Sequence, residues 1–418
     1  MKQIRTVEHL DTTVSIPGSK SITHRYLIMA ALAAGRSRIT NALWCADTRY
    51  TAAALEKLGA RINHSPEAVE VIGTGGELLC PSEPIYLDNA GTAMRLLTAV
   101  VCLGRGSYVL AGDERMHRRP IGELLAGLRP LGGEAESVEQ NDCPPVRVRA
   151  SRLKGGRTEL DASRSSQFVS AILLAAPYAA RAVEVTLRGL VSRPYVDITL
   201  EGMAAFGARG RWVDEKTLRV EAPDRYLAGT HNVEGDCSSA SYFWAAAAIT
   251  AGRVRTSNIR SGSRQGDLRL LQLLRQMGCG VQWDEEGVTV TGAPLRGITV
   301  DMSDMPDMVP TLAVIAAFAR GTTRIGNVGH LRLKESDRLR AVAEGLQRMN
   351  LRVEEGSDSL TITGGKAQAA SIDPHNDHRI AMSFAVSGLR IGGVCIEEAS
   401  CVEKSFPQFW ELFQQLYS

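Results

Sequence analysis

The chain has 418 residues, of which 44% are hydrophobic and 22% charged, and its 48 basic and 46 acidic side chains leave a formal net charge of +2. This balance excludes an intrinsically disordered chain, which has fewer apolar residues and a larger net charge. It also argues against a protein that binds nucleic acid through bulk positive charge, so we expect no nucleic-acid partner.

Amphipathic helices that end in glycine or asparagine recur along the chain at a nearly constant spacing. Alternating polar and apolar residues typical of a strand follow each of them, and glycine or asparagine suits the left-handed position after a helix end. The end positions are Gly59, Gly132, Gly207, Gly278 and Asn350, which lie 73, 75, 71 and 72 residues apart. A period of this length holds a whole supersecondary unit.

A second series of apolar, alanine-rich segments keeps the same step. Because they are hydrophobic on nearly all sides, these segments predict buried helices, whereas the charged faces of the first series predict outer helices. Six repeats of about 70 residues account for the whole chain. The buried helices are expected over about 21–35, 92–104, 165–180, 238–252, 308–321 and 379–392.

The last repeat lacks its final strand. Its outer helix, expected over 406–416, ends with the chain, while residues 3–7 form a spare strand at the other end. We therefore expect the two ends to complete one repeat together. This places residues 1–18 and 234–418 in one domain and residues 19–233 in another, each with three α/β repeats.

Basic side chains collect where the buried helices begin. Helix N-termini carry about half a positive charge and free N–H groups, and arginine and lysine bind carboxylates and phosphates. A nucleotide phosphate loop and a dinucleotide fingerprint are both absent, so these positions predict an anionic small-molecule ligand. The basic residues are Lys20, Arg25, Arg95, Arg119, Arg193, Lys334, Arg338, Arg379 and Lys404.

Two acidic residues among these cations, Asp307 and Glu335, are candidates for acid–base chemistry, and each could equally be a helix cap or an ion-pair partner. The segment 373–378 has carboxylates and imidazoles that could bind a divalent metal, but no further cluster with ligand spacing supports this alternative. We predict no metal and no cofactor.

The cellular compartment is predicted from cysteine usage and from the first residues. The eight cysteines are scattered and form no C-x-x-C pair, which favours a reducing compartment. The opening residues lack a signal-peptide pattern, and the apolar runs are shorter than the ~20 residues that span a bilayer. We expect a cytoplasmic protein without a membrane partner.

Nine sequence blocks, spread in order over essentially the whole chain, carry the most specific signal. They are residues 17–21 (PGSKS) with Arg25, 89–95 (NAGTAMR), 119–122 (RPIG), 165–168 (SSQF), 192–195 (SRPY), 233–240 (VEGDCSSA), 334–338 (KESDR), 376–379 (NDHR) and 404–407 (KSFP). With these blocks the chain resembles the family of 5-enolpyruvylshikimate-3-phosphate (EPSP) synthases.

The resemblance implies a fold, a reaction and two substrates. The fold is α/β (α+β), with two similar domains of three βαβαββ units. The reaction transfers the enolpyruvyl group of phosphoenolpyruvate to the 5-hydroxyl of shikimate 3-phosphate and releases phosphate, through a tetrahedral intermediate, in the shikimate pathway to chorismate and aromatic amino acids. It further implies a monomer, competition by glyphosate, a shikimate 3-phosphate side in 19–233 and a phosphoenolpyruvate side in 1–18 with 234–418.

The matching blocks also imply roles for single residues. Asp307 resembles the base that removes the 5-hydroxyl proton, and Glu335 with Lys20 resembles the acid side that protonates the methylene carbon. The implied shikimate 3-phosphate contacts are Lys20, Ser21, Arg25, Ser165, Ser166, Gln167, Arg193, Tyr195, Asp307, His330 and Lys334. The implied phosphoenolpyruvate contacts are Lys20, Asn89, Gly91, Thr92, Arg119, Gln167, Glu335, Arg338, His378, Arg379 and Lys404.

Three positions depart from the pattern of enteric members of the family: His330 stands in place of Asn, Leu96 in place of Pro and Asp88 in place of Gly. Two alternatives stay open. One is UDP-N-acetylglucosamine enolpyruvyl transferase, which shares the fold but uses a cysteine in a loop where residues 113–120 have none. The other is a non-catalytic anion-binding protein of the same fold.

Overall fold

Six small sheets, each packed with two helices, build the fold of this computed structural model, which describes residues 1–417. The helices are α1 (Lys20–Leu32), α2 (Ala46–Lys57), α3 (Gly91–Val100), α4 (Gly122–Leu128), α5 (Gln167–Ala175), α6 (Arg193–Ala205), α7 (Cys237–Thr250), α8 (Leu270–Met277), α9 (Val309–Ala317), α10 (Arg338–Arg348), α11 (His378–Gly388) and α12 (Phe409–Gln414). Short 3₁₀ turns extend several of them.

The strands alternate with these helices along the chain. They are β1 (Lys2–Gln3), β2 (Asp11–Ser15), β3 (Ala34–Thr40), β4 (Arg61–His64), β5 (Ala68–Thr74), β6 (Ile85–Tyr86), β7 (Arg105–Ala111), β8 (Glu134–Ser137), β9 (Val146–Ser151), β10 (Gly156–Ala162), β11 (Val183–Leu190), β12 (Gly210–Trp212), β13 (Thr217–Val220), β14 (Thr230–Asn232), β15 (Arg253–Ser257), β16 (Gly280–Trp283), β17 (Gly287–Thr291), β18 (Thr299–Asp301), β19 (Thr322–Gly326), β20 (Arg352–Glu355), β21 (Leu360–Thr363), β22 (Ser371–Ile372) and β23 (Cys395–Ile396).

The chain divides into two units. The central unit is Gly18–Val233, and the terminal unit is Met1–Pro17 together with Glu234–Ser418. The central unit holds the sheets β14-β3-β5-β4, β6-β7-β9-β8 and β10-β11-β13-β12. The terminal unit holds β16-β17-β15-β2, β18-β19-β21-β20 and the three-stranded sheet β1-β23-β22. Each sheet has one parallel pair of strands, and its other pairings are antiparallel.

Strands β2 and β14 pair with strands that are distant from them in the sequence. Strand β2 precedes α1 in the chain but pairs in parallel with β15, and β14 precedes α7 but pairs in parallel with β3. The first repeat of each unit therefore takes its opening strand from a distant part of the chain. No local pattern predicts this exchange, because both strands are ordinary β segments by composition.

The chain ends meet in the three-stranded sheet. Lys2 pairs with Ile396 in antiparallel register, and the Tyr417 hydroxyl donates to the carbonyl of Arg5. The expected spare strand over residues 3–7 is wrong in its bounds, since β1 ends at Gln3 and the N–H of Val7 donates to the carbonyl of Leu389 instead. The outer helix of this repeat, α12, begins only at Phe409, after Pro407.

Six helices form the cores of the two units. Helices α9 and α11 are buried along their whole length, and α7 is buried at every residue except Thr250. Helices α1, α3 and α5 contact one another in the central unit, as α7, α9 and α11 do in the terminal unit. Their alanine-rich sequences let the backbones approach closely, and apolar burial of this extent is the main stabilising term of the fold. The expectation of six buried helices is confirmed.

The residues after the outer helices adopt the expected left-handed conformation. The φ angles are 106° at Gly59, 88° at Gly132, 82° at Gly207, 122° at Gly278 and 60° at Asn350. A side chain at such a φ collides with the following carbonyl, which is why glycine or asparagine stands there. No helix among residues 1–417 combines the length and apolarity needed to cross a bilayer.

Gly278→Ala should destabilise the protein more than Asn350→Gly. A Cβ at Gly278 would lie 3.0 Å from the carbonyl oxygen of Pro294 at a φ of 122°, so we expect a loss of about 1–2 kcal/mol in the free energy of unfolding. At Asn350 the change should stay within about 0.5 kcal/mol. Urea unfolding of both variants checks this, and equal midpoints would contradict it.

Candidate active site

In the terminal unit, one buried guanidinium holds three carboxylates. Arg338, at the start of α10, donates through Nη1 to Asp307 at 2.8 Å, through Nη2 to Glu335 at 2.7 Å and through Nε to Asp377 at 2.7 Å. Its side chain is only 2% exposed. Arg379, at the start of α11, donates through Nη2 to the second oxygen of Asp307 at 2.8 Å. We call these five residues the Arg338 cluster.

Helix starts position the members of the Arg338 cluster. Asp377 caps α11, accepting from the N–H of Arg379 at 3.0 Å, and its other oxygen accepts from the Ser336 hydroxyl. Asp307 lies in the 3₁₀ turn Pro306–Met308 that leads into α9. The predicted acid–base pair, Asp307 and Glu335, thus accepts hydrogen bonds from two nitrogens of the same guanidinium.

The electrostatics of the Arg338 cluster keep Asp307 ionised. Burial acts to raise the pKa of Asp307, but Arg379, Arg338 and Lys334 together hold that pKa well below its usual value. Burial likewise acts to lower the pKa of Arg338, and the three carboxylates hold it above its usual value. Asp307 therefore carries a negative charge around neutral pH.

His330, Lys334, His378 and Lys404 complete the predicted residues of the terminal unit. Burial, with the neighbouring Lys334, lowers the pKa of His330 to about 4, so its imidazole is neutral at pH 7. Its Nε2 atom is buried and has no hydrogen-bond partner among residues 1–417. His378 is 1% exposed beside Asp377, and Lys404 closes a 3₁₀ segment that contacts α11.

In the central unit, two arginines lie over the N-terminus of α3. Arg119 donates through Nη1 to the side chain of Asn89 at 2.8 Å. Arg95 donates to the side chain of Gln167 at 3.2 Å, whose amide donates to the Thr92 hydroxyl at 2.9 Å. We call Asn89, Gly91, Thr92, Arg95, Arg119 and Gln167 the α3 cluster.

Gly91 permits the close approach of both guanidinium groups. A Cβ at this position would lie 2.5 Å from Nη2 of Arg119 and 2.7 Å from Nη1 of Arg95. The two positive charges add to that of the helix N-terminus. Among the departures noted in the sequence, Asp88 adopts a φ of 48°, a conformation that glycine adopts readily, and Leu96 is buried in the core of the unit.

Lys20 and Arg25 occupy different surroundings at the start of α1. Lys20 forms a salt bridge of 3.0 Å with Asp47, and both side chains are largely buried. Arg25 is 1% exposed and donates to Ser21, Ser170, Tyr195 and Thr199 in a network that joins α1, α5 and α6.

The remaining predicted residues lie at the starts of α5 and α6. Ser165 and Ser166 are buried before α5, and the Ser165 hydroxyl accepts from the N–H of Gln167 at 3.2 Å. The carbonyl of Tyr195 accepts from Arg25 at 3.2 Å. Arg193 is exposed, and its guanidinium lies 4.1 Å from the ring centroid of Trp212.

Sequence reasoning missed Asp47, and it did not predict the pairing of Asp377 with Arg338. Asp47 pairs with Lys20 across 27 residues, and no motif in the sequence marks this pair. Asp377 was part of the metal alternative, but it is an ion-pair partner and a helix cap, while Asp373 and His375 pair with each other. No group of three or more metal-ligating side chains is found within residues 1–417, so the metal alternative has no structural support.

Comparisons with known proteins agree on one family. The family model for EPSP synthase (3-phosphoshikimate 1-carboxyvinyltransferase) matches residues 4–413. Two relatives named 3-phosphoshikimate 1-carboxyvinyltransferase, from Syntrophobacter fumaroxidans and Methanoculleus marisnigri, are each 47% identical. The first match covers 100% of both chains, and the second covers 96% of each.

A solved structure of EPSP synthase from Acinetobacter baumannii is 28% identical to the chain. It superimposes with a TM-score of 0.84 over 99% of this chain and 98% of that chain. The expected fold class and the expected resemblance are both confirmed, and the UDP-N-acetylglucosamine alternative is not favoured. The chain belongs to the EPSP synthase (3-phosphoshikimate 1-carboxyvinyltransferase) family.

Proposed function

We propose that this protein transfers the enolpyruvyl group of phosphoenolpyruvate to the 5-hydroxyl of shikimate 3-phosphate and releases phosphate, in the shikimate pathway. The observation that carries the proposal is the placement of Asp307 and Glu335 on one buried guanidinium beside Arg379. Two carboxylates held by cations suit a reaction between two anionic substrates in which one proton is removed and another is added. A monomer in the cytoplasm that needs no cofactor stays the expectation from the sequence.

The chemistry proceeds by addition and elimination. Glu335, with Lys20, supplies the proton that adds to the methylene carbon of phosphoenolpyruvate. The 5-oxygen of shikimate 3-phosphate then bonds to the central carbon of phosphoenolpyruvate. Asp307 receives the 5-hydroxyl proton, which yields a tetrahedral ketal. The carbon–oxygen bond to phosphate then breaks as the group that donated the first proton takes back a proton from the methyl carbon, which restores the double bond and releases phosphate.

Anionic substrates would activate the base. In the structure Arg338 and Arg379 bind both oxygens of Asp307. A substrate carboxylate or phosphate that takes over these donors raises the pKa of Asp307, because the cations that depress that pKa now serve another anion. The base thus becomes able to accept a proton only once the substrate is in place.

We assign shikimate 3-phosphate chiefly to the central unit and phosphoenolpyruvate to residues of both units. Ser165 and Ser166, which are buried, and Gln167 lie at the start of α5, where N–H groups favour a phosphate. The residues assigned to phosphoenolpyruvate are Glu335, Arg338, His378, Arg379 and Lys404 in the terminal unit and Lys20, Asn89, Gly91, Thr92, Arg119 and Gln167 in the central unit. Direct contacts of Arg25 and Arg193 with shikimate 3-phosphate stay predictions, because both guanidinium groups have other partners in the structure.

Phosphate release with both substrates tests the proposed function. The purified protein should release phosphate when shikimate 3-phosphate and phosphoenolpyruvate are present together, and not with either one singly. A parallel reaction replaces shikimate 3-phosphate with UDP-N-acetylglucosamine. Release only in that reaction would favour the sister enzyme, and binding of shikimate 3-phosphate without release would favour an anion-binding protein.

Asp307→Ala should abolish turnover while shikimate 3-phosphate still binds. Losing a general base lowers kcat by about 10²–10⁴-fold, whereas the Kd for shikimate 3-phosphate should change by less than about threefold. Asp304→Ala is the matched control, because this half-buried carboxylate on the same segment forms a salt bridge with the partly exposed Arg269 and none with Arg338 or Arg379 within residues 1–417. Steady-state kinetics and calorimetry check the result, and an active Asp307→Ala enzyme would contradict the assignment.

Glyphosate should compete with phosphoenolpyruvate, and Gly91→Ala should weaken both ligands. The added methyl group would displace the guanidinium of Arg119, and a displacement of about 1 Å in a binding group costs up to about 10²-fold. Gly326→Ala is the control, because a Cβ there meets nothing within 4 Å. Inhibition kinetics with glyphosate check both statements. An inhibition constant far above the KM for phosphoenolpyruvate would refute the predicted competition. Equal effects of Gly91→Ala and Gly326→Ala would refute the role of Gly91.

A further inference from the structure

A buried cation in the central unit has no carboxylate partner. Arg25, on α1, is 1% exposed. All of its hydrogen bonds go to neutral oxygens, and no carboxylate within residues 1–417 forms a salt bridge with it. Arg338 of the terminal unit, by contrast, is balanced by three carboxylates. Because a buried charge without a counter-charge is costly, the surroundings of Arg25 favour an anionic ligand.

Protein oxygens fix the orientation of this guanidinium. Its Nε atom donates to the Thr199 hydroxyl at 2.7 Å, and its Nη2 atom donates to the Ser170 hydroxyl at 3.1 Å. The carbonyl of Tyr195 also accepts from Nη2, at 3.2 Å, and the carbonyl of Ser21 accepts from Nη1 at 2.8 Å. A guanidinium has five N–H donors in one rigid plane. These four hydrogen bonds therefore leave one N–H of Nη1 without an acceptor among residues 1–417.

Thr199 is the centre of this network. It lies on α6 and is 0% exposed. While its hydroxyl oxygen accepts from Arg25, its proton is within reach of the Tyr195 carbonyl at 2.8 Å and of the Ser170 hydroxyl at 2.9 Å. A hydroxyl group accepts and donates at the same time, so this one side chain joins α1 to α5 and α6. Because Thr199 is fully buried, it can affect a ligand only through the residues that it holds.

The same network includes residues predicted to bind shikimate 3-phosphate. Ser21 and Tyr195 supply the two carbonyl acceptors of the guanidinium. Ser170 lies one turn after Ser166, and its N–H donates to the Ser166 carbonyl at 3.1 Å. The orientation of Arg25 is thus fixed by the elements that carry the proposed ligands of this substrate.

We propose that Thr199 is a positioning residue for shikimate 3-phosphate, which acts by holding the guanidinium of Arg25 in the orientation that binds this substrate. The inference rests on the proposed function. Without an acceptor at Nε, the buried cation is best satisfied by turning that N–H towards another oxygen. The guanidinium is rigid, so this rotation also moves the Nη1 donors, and a displacement of about 1 Å in a binding group costs up to about 10²-fold.

Steady-state kinetics and calorimetry on Thr199→Val test the proposal. Valine keeps the shape of threonine but has no hydroxyl, so the KM and the Kd for shikimate 3-phosphate should rise by about 10-fold to 10²-fold. Saturating substrate should restore kcat to within about threefold, because the lost contact serves the bound substrate and the transition state equally. The KM for phosphoenolpyruvate should also stay within about threefold. Thr199→Ser keeps the hydroxyl and should bind shikimate 3-phosphate within about threefold of wild type.

Two further variants make the test specific. Thr98, on α3, is also fully buried, but its hydroxyl donates only to the Met94 carbonyl of its own helix, so Thr98→Val should retain the wild-type KM for shikimate 3-phosphate. Ser170→Ala removes a second acceptor of Arg25. It should raise this KM by about threefold to tenfold, less than Thr199→Val does, because the Tyr195 carbonyl still accepts from Nη2.

Three results would overturn the inference. The first is a Thr199→Val enzyme that binds shikimate 3-phosphate within about twofold of wild type, and the second is an equal loss in Thr199→Ser. The third is a loss in Thr199→Val that kcat and both KM values share, which indicates a purely structural role. If Thr199→Val does not fold, as judged by circular dichroism, an unchanged KM for shikimate 3-phosphate in Ser170→Ala refutes the proposal. Wild-type protein that releases no phosphate contradicts the proposed function itself, which separates the two failures.

Discussion

The guanidinium of Arg338 is the constraint on which the terminal unit's chemistry depends. A cation that is 2% exposed must be balanced, and three carboxylates from three parts of the chain do so. Removing any one of them would take a charge-assisted hydrogen bond away from a buried guanidinium, which costs more than breaking an exposed ion pair. The same contacts hold Asp307 and Glu335 in fixed positions, so the ion pairs that balance Arg338 also place the two carboxylates that we propose for proton transfer.

The repeated architecture explains how distant residues reach this guanidinium. Helices α9, α10 and α11 each begin at or next to a member of the Arg338 cluster. The ion pairs of Arg338 and Arg379 join the starts of these three helices, where free N–H groups favour anions. In the central unit, α3 and α5 bring Arg95, Thr92 and Gln167 together in the same way.

The periodic pattern predicts much of the fold because it depends on local physics. Helix ends with a left-handed φ, such as Gly278 and Asn350, and the alanine-rich core helices can be read directly from the sequence. The interaction partners of the buried charged residues cannot be read from the sequence. The pair Lys20–Asp47 and the network around Arg25 both depend on which residues the tertiary fold brings together, and the spacing of residues along the chain does not show this.

The exchanged strands β2 and β14 have a consequence for synthesis on the ribosome. Asp11 of β2 lies beside Arg253 of β15, 242 residues later. The nascent N-terminal segment therefore emerges long before its partner exists and must wait unpaired while the central unit folds. Such long-range closure slows folding, and the terminal unit is not complete until β23, the partner of β1, has been made.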